Sequence, residues 1–211
     1  MVASAEVDSD LQLFFAWREG DRDAGDRLLR KHVASLRRFF HNKVDREVDD
    51  LVQRTFLACT KAKNTFEGRA SFRTLLFVLA RRQLIRFYER AARHNGEDIE
   101  SLSVEDLRTS PSQLVARAKE HTLLLAALRR IPLELQMTVE LHYWEDLTTS
   151  ELSQIMEIPQ GTVKSRLRRA REALARELGT FEDDGAPSQR ATDDLESWAR
   201  ALRETAAQPA K

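Results

Sequence analysis

The sequence predicts an all-α protein: two small helical domains, a flexible linker between them and an acidic tail. Three observations carry that prediction. Apolar residues recur at intervals of three and four through most of the chain, as they do in helices buried along one face. Alternating strand patterns are hard to find, and only seven glycines and five prolines punctuate the 211 residues. The periodicity lapses in the middle and again near the end, which divides the chain into 8–93, 94–112, 113–180 and 181–211. Two small units suit this length better than one, since domains commonly run to roughly 100 to 150 residues.

Asp10 opens the first helical pattern, with Leu11, Phe14, Phe15 and Trp17 on one face and an end near Gly20. The second begins at Asp21 or Asp23 and carries Ala24, Leu28, Leu29, Val33, Leu36, Phe39 and Phe40, so the two make a helical hairpin. After a charged turn around Asp45, a third helix covers Val48 to Cys59. Its Leu51, Val52, Thr55, Phe56 and Cys59 face a core, while Asp49, Asp50, Gln53 and Arg54 point outward. From Asn64 to Ser71 the pattern lapses; Gly68 permits a turn there and Ser71 can cap the next helix. That long helix buries Phe72, Leu75, Leu76, Leu79, Ala80, Leu84, Phe87 and Tyr88 and leaves Arg73, Arg81, Arg82 and Arg86 on the surface.

Periodicity fails from Arg93 to Pro111, where Asn95-Gly96, several acids and Ser110-Pro111 mark a linker. It resumes from Gln113 to Arg130 with Leu114, Val115, Ala118, Leu124, Leu125 and Leu128, and stops at Pro132, which cannot continue a helix. Leu133 to Trp144 is a further helix. Thr148 or Thr149 then caps a short helix, Ser150 to Met156, with Glu151 adding weak support. After Pro159 the last long helix sets Val163, Leu167, Ala170, Leu174 and Leu178 in one stripe. Its other face holds Lys164, Arg166, Arg168, Arg169, Arg171 and Arg176 against Glu172 and Glu177. The pair is a helix-turn-helix whose second helix suits a major groove. A basic face of this kind is also what a solvated surface helix presents, so context decides. In the tail, Leu195, Trp198 and Leu202 outline a helix too short to be stable alone.

Formal charge cancels, at 34 basic and 34 acidic residues, so no global field points to nucleic acid. Its distribution does. Between Lys61 and Arg93 nine basic residues face two acidic ones, whereas Phe181 to Lys211 holds four basic against seven acidic. Phe66, expected to be exposed beside Lys63, suggests bases stacked on an aromatic next to neutralised phosphates. Cys59 is the single cysteine, which excludes a disulfide framework and a cysteine-based zinc site. No basic leader and no run of about 18 apolar residues is present, so a cytoplasmic protein without membrane insertion is expected. The five histidines are scattered and Asp49-Asp50 has no companion motif, so no metal, no cofactor and no catalysis is expected. These residues alone fit a dimeric helix-turn-helix regulator of duplex DNA.

Two stretches, in order, resemble one family. Asp50-Leu51-Val52-Gln53, Phe56-Leu57, Phe72-Arg73-Thr74-Leu75-Leu76 and Ala80-Arg81 resemble region 2 of bacterial RNA polymerase sigma factors. Leu128-Arg129-Arg130-Ile131-Pro132, Glu151-Leu152-Ser153 and the run from Gly161 to Arg171 resemble region 4. The short connection, with no third domain, is similar to the extracytoplasmic-function group. The resemblance spans roughly residues 10 to 180 and implies a region 2 bundle over 8–93 and a region 4 helix-turn-helix over 113–180. It implies core RNA polymerase and promoter DNA as partners, and leaves room for an anti-sigma factor.

On matching residues, the resemblance implies that Asp49, Asp50, Gln53, Phe56 and Leu57 dock on core polymerase. Lys61, Lys63, Asn64, Phe66, Arg69, Ser71, Arg73, Arg81, Arg82 and Arg86 would hold the minus-ten strand. Gln160, Thr162, Lys164, Ser165, Arg166, Arg168 and Arg169 would bind the minus-thirty-five duplex. Some residues depart from the family pattern. Leu75 stands where tryptophan is usual, Arg82 and Arg86 where asparagine and aspartate are frequent, Ser153 where alanine is, and Glu157 where glycine often makes the turn. Either Glu157 is left-handed, at a cost of roughly 1 kcal/mol, or the turn has a different shape.

Overall fold

The computed structural model describes residues 2–44, 46–91, 103–104 and 120–179. Eight helices and no strand occur among the described residues: α1 Val2–Arg18, α2 Arg22–His41, α3 Val48–Ala62, α4 Phe72–Ala91, α5 Glu120–Arg130, α6 Leu133–Tyr143, α7 Thr149–Met156 and α8 Gln160–Gly179. The all-helical expectation holds for them. The expected turn at Asp45, most of the linker, the start of the helix expected from Gln113 and the tail helix lie outside the described residues. By packing, the chain splits into two compact units, one of Met1–Phe87 with Gln154–Glu157, the other of Tyr88–Ser153 with Ile158–Lys211.

In the first unit α1 packs on α2 and α2 on α3. The helix expected from Asp10 begins eight residues earlier, at Val2. Alanines and acids fill that opening stretch; alanine is the strongest helix former, and acids near a helix N-terminus oppose its positive pole. Asp21 caps α2 through its side chain, which accepts from the Ala24 amide at 3.0 Å. Gly25, on the next turn, lies where any Cβ would overlap the Trp17 ring, so the α1–α2 crossing requires a glycine.

Phe14 is the hub of this core. Its ring centroid lies 5.9 Å from Phe15, 6.0 Å from Trp17, 5.1 Å from Phe66 and 5.7 Å from Phe72. Phe39 and Phe77, 5.7 Å apart, join α2 to α4. A buried carboxylate supports the hub from α1: Asp10 accepts from Lys31 Nζ at 2.8 Å and pairs with His32 Nε2 at 2.7 Å, and the His32 ring lies 5.4 Å from Phe72. Burial alone would raise the Asp10 carboxyl. The hydrogen bonds and charges of His32 and Lys31 outweigh it and hold the group below its usual 3.8.

The second unit is built on α8. Both α5 and α6 pack against it, with Leu124, Ala127 and Leu128 from α5 and Leu135 and Val139 from α6 meeting Ala170, Leu174 and Leu178. The apolar stripe expected of this helix is therefore the one it buries. Eight of the eleven residues of α6 are buried, including Gln136, Thr138 and Glu140. Gln136 Nε2 donates to Glu140 Oε1 at 2.8 Å and Thr138 Oγ1 to the Glu134 carbonyl at 2.6 Å, while the Gln136 side-chain oxygen is buried without a partner among the described residues.

Candidate nucleic-acid interface

The helix-turn-helix, α7 and α8, is held by hydrogen bonds that the sequence partly announces. Thr148 and Glu151 form a reciprocal capping box: the Glu151 amide donates to Thr148 Oγ1 at 3.2 Å, and the Thr148 amide donates to Glu151 Oε2 at 2.9 Å. Glu151 thus contributes more than the weak support expected of it. The turn after α7 contains Glu157 at φ 57°, the left-handed conformation anticipated where a glycine is common. Ser153, the other departure from the usual pattern, closes the same turn. Its hydroxyl donates to the Ile158 carbonyl at 2.6 Å while the Ile158 amide donates to the Ser153 carbonyl at 3.1 Å.

Gln160 starts α8 and donates to Thr149 Oγ1 at 2.7 Å, so it ties one helix of the motif to the other. Lys164, Arg168 and Arg169 are exposed together on the outer side of α8. Arg168 pairs with Glu172 at 3.0 Å, one turn on, with 68% of its side chain still accessible. A pair that open is worth little and competes weakly with a phosphate. Thr162 and Ser165 are half-buried, and the Ser165 hydroxyl donates to the Thr162 carbonyl at 2.8 Å.

Arg166 departs from expectation. The charge pattern puts it on the basic outer face, but its Nη2 meets Glu134 Oε2 at 2.6 Å, with only 12% and 19% of the two side chains exposed. At roughly 100° per residue, Arg166 falls on the flank of the stripe running from Val163 through Leu167 rather than opposite it. Adjacency to that stripe is the available signal. Its partner on α6 has no signature in the sequence.

In the first unit the basic segment surrounds the 63–71 loop. Lys61, Asn64, Arg69, Arg82 and Arg86 are exposed, and Arg73 is half-buried. Arg69 pairs with Glu67. Ser71 caps α4 as expected, accepting from the Thr74 amide at 3.1 Å. Two members of the expected set are turned inward. Phe66, expected exposed, is half-buried edge-on against Phe14, because that aromatic hub offers its ring a dry partner. Arg81, expected on the surface, is buried at 9% exposure between Ala80 and Gln83, on the side of α4 that also carries Phe77 and Leu84. Lys63 lies 5.3 Å above the Trp17 ring and reaches the Trp17 carbonyl at 3.4 Å. The loop is thus shaped from beneath by α1. Gly68 adopts φ 75°, and a Cβ there would come within 2.8 Å of Phe15. In the sequence Phe14, Phe15 and Trp17 are legible only as core, since nothing local links them to a loop about 50 residues on.

On α3, Asp49, Gln53 and Leu57 are exposed, and Asp50 and Phe56 are half-buried. They bring four of their number to one groove of about 570 Å³ between α2 and α3, lined by Asp49, Gln53, Phe56 and Leu57 together with Leu29, Val33 and Arg37. Leu57 is 55% exposed, an unusual state for a large apolar side chain. Asp50 instead bonds Arg54 at 2.8 Å, and Asp49 bonds Arg37 at 2.7 Å across the groove. Burial pushes the Cys59 thiol up to about 12, so it stays protonated and inert. Among the described residues no group of His, Cys, Asp and Glu could hold a metal ion, and no helix is long and apolar enough to cross a membrane.

The chain matches two family models in order: Sigma-70 region 2 over residues 26–94 and Sigma-70 region 4 over residues 121–174, together more than half of its length. It is 27% identical over 137 residues to the ECF RNA polymerase sigma-E factor of Escherichia coli strain K12, covering 61% of this chain and 72% of that one. To the RNA polymerase sigma-H factor of Pseudomonas aeruginosa it is 27% identical over 185 residues, covering 81% and 94%. Two solved structures share the fold. CnrH, in complex with the cytosolic domain of CnrY, aligns with TM-score 0.60 and 21% identity over 82% of this chain and 99% of that one. The sigma factor RpoE of Bartonella quintana, in complex with the anti-sigma factor NepR, aligns with TM-score 0.56 and 22% identity over 74% and 98%.

Proposed function

The chain belongs to the sigma-70 family, in its extracytoplasmic-function group, and directs RNA polymerase to promoters; we propose how its residues divide that work. Residues 8–93 act as region 2 and 113–180 as region 4, with 94–112 connecting them and 181–211 forming a tail. The α2–α3 groove is the docking site for core polymerase. The observation that carries this assignment is Leu57, an exposed leucine beside a groove whose polar rim is Asp49 and Gln53. Apolar centres ringed by polar groups are where interface energy concentrates.

The 63–71 loop and the start of α4 capture the displaced minus-ten strand. Lys61, Arg69 and Arg73 neutralise its phosphates, Asn64 offers an amide to a base edge, and Arg82 and Arg86 extend the track along α4. Phe66 and Ser71 shape the loop from within. On α8, Lys164, Arg168 and Arg169 face the minus-thirty-five duplex, where a cationic side chain recognises guanine edges or phosphates. Gln160, Thr162 and Ser165 border that surface. The chain supplies no chemistry of its own, needs no cofactor, and works in the cytoplasm beside the polymerase.

Run-off transcription by core polymerase with and without the chain, together with mapping of the start sites, tests this reading. Promoter-dependent transcripts that need the chain are expected; absence of both core binding and promoter-dependent initiation would sink it. A regulatory partner is a separate proposal. A relative of this fold is held in complex with an anti-sigma factor, and the open α2–α3 groove supports a similar partner here. The competing source of control is the chain's own acidic tail. Truncation after Gly179 raises core or DNA binding if the tail masks either surface, and unchanged binding counts against it.

A further inference from the structure

We infer that Arg166 is a positioning residue: its ion pair with Glu134 sets the rotation of α8 and so decides which side chains meet the minus-thirty-five duplex. The inference rests on the proposal that α8 is the duplex-reading helix. Its geometry is independent of that proposal. Arg166 Nη2 lies 2.6 Å from Glu134 Oε2, in the first turn of α6. Arg166 Nε and Nη1 are buried and bonded to no protein group among the described residues, and only 12% of the side chain is exposed. To reach a phosphate or a base edge, the side chain would have to leave Glu134 and strand a carboxylate that is itself mostly buried.

The neighbours on α8 behave in the opposite way. Lys164, Arg168 and Arg169 are exposed within three residues of Arg166. Helix α8 is otherwise held by aliphatic side chains, Ala170, Leu174 and Leu178, packed against α5 and α6, and by polar contacts that are exposed or long: Gln160 to Thr149 at 2.7 Å, Arg171 to Tyr143 at 3.4 Å and Glu177 to Arg130 at 3.9 Å. Contacts between smooth aliphatic side chains tolerate small rotations of a helix about its axis, since dispersion is non-directional. A short, charge-assisted bond between one guanidinium and one carboxylate does not. The pair therefore contributes register more than stability, the best-attested use of a buried polar contact.

The test compares Arg166→Met, Glu134→Leu and the double variant, with Lys164→Met and Arg169→Met as controls. Each is assembled as full-length chain with core polymerase, and binding to a promoter duplex found by run-off mapping is measured as salt is varied. Circular dichroism and melting confirm that each variant is folded. The expected result is that Arg166→Met and Glu134→Leu each weaken binding by about tenfold or more, since either removes the directional bond that fixes α8. Their salt slope stays at the wild-type value, because no phosphate contact is lost. The double variant, an apolar pair of similar volume, regains the wild-type melting temperature but binds no better than Arg166→Met, since it lacks the directional bond. The inference is overturned if Arg166→Met lowers the slope by about 0.9, the loss of one phosphate contact. It is overturned equally if Glu134→Leu leaves binding intact, or if the double variant binds as wild type does. Controls that bind like wild type would remove α8 from the duplex altogether, a separate failure that takes the inference with it.

Discussion

Ser153 and Glu157 stand where this family commonly has alanine and glycine, and the structure gives each a physical account. Glu157 holds φ 57°, which an L-residue adopts at a cost of about 1 kcal/mol. Ser153 offsets part of that by donating to the Ile158 carbonyl across the same turn. Restoring the commoner residue, Ser153→Ala, is therefore expected to lower stability by about 1 kcal/mol, the net worth of one hydrogen bond, as read from urea unfolding. Asp10 gives a pH-dependent counterpart. Its carboxyl titrates below the ordinary value when folded, because His32 and Lys31 outweigh the effect of burial. The folded state thus prefers the ionised form. Its contribution is complete above the unfolded pKa of about 3.9 and disappears as pH falls through the lower folded value. Melting curves across that acid range are expected to show wild type losing its advantage over Asp10→Asn as pH drops; a difference independent of pH would refute the account.

At the scale of elements, the 63–71 loop depends on a helix far from it in sequence. Gly68 is left-handed, and its missing Cβ is what allows Phe15 to lie beneath. Gly68→Ala is expected to cost roughly 1 to 2 kcal/mol from backbone conformation alone, with a further loss as the Phe15 ring is displaced, both read from urea unfolding. The α3 groove makes the contrasting prediction. Leu57 is exposed, so Leu57→Ser leaves the melting temperature nearly unchanged while lowering core-polymerase affinity by about tenfold, as measured by competition for core. Unaltered affinity would remove Leu57 from the docking surface.

These elements also mark how much of the fold is legible in one dimension. Periodicity alone identifies α2, α3, α4 and α8, because each buries one continuous stripe, whereas α6 is buried nearly all round and is marked in the sequence by Pro132 before it. Caps at Asp21 and Ser71 are equally legible, as is the turn at Glu157, since these depend on neighbours within a few residues. What escapes is long-range. Phe66 counts as a solvent-facing aromatic until Phe14 is folded against it, and Arg166 counts as a basic-face residue until α6 delivers Glu134. An arginine at the edge of an apolar stripe is ambiguous by pattern. Only its tertiary partner decides whether it faces water or the core.

For the whole molecule, the balanced net charge conceals two basic stretches, to which the proposed function assigns DNA in different forms. One, on α8, suits a duplex; the other, around the 63–71 loop and α4, suits an unpaired strand. Charge removal on the two surfaces therefore has distinguishable consequences. Lys164→Ala or Arg169→Ala removes contacts to DNA that is already double-stranded in its final state. Binding and initiation then fall together, on closed and on pre-opened templates alike. Lys61→Ala or Arg69→Ala instead removes contacts formed only after the strands part. Those contacts offset the unfavourable work of melting, so their loss weighs most on a closed template. A promoter with a bubble already present over the minus-ten element supplies that work in advance. Transcription from the bubble template is expected to restore the Lys61 and Arg69 variants to within a few-fold of wild type while leaving the Lys164 and Arg169 variants impaired. Each lost phosphate contact is also expected to lower the salt slope, by about 0.9 for duplex and about 0.7 for a single strand, which gives a second readout of the form in which the DNA is held. Equal rescue of both sets on the bubble template would mean that the two surfaces act on one state of the promoter, and the division of labour between the units would not stand.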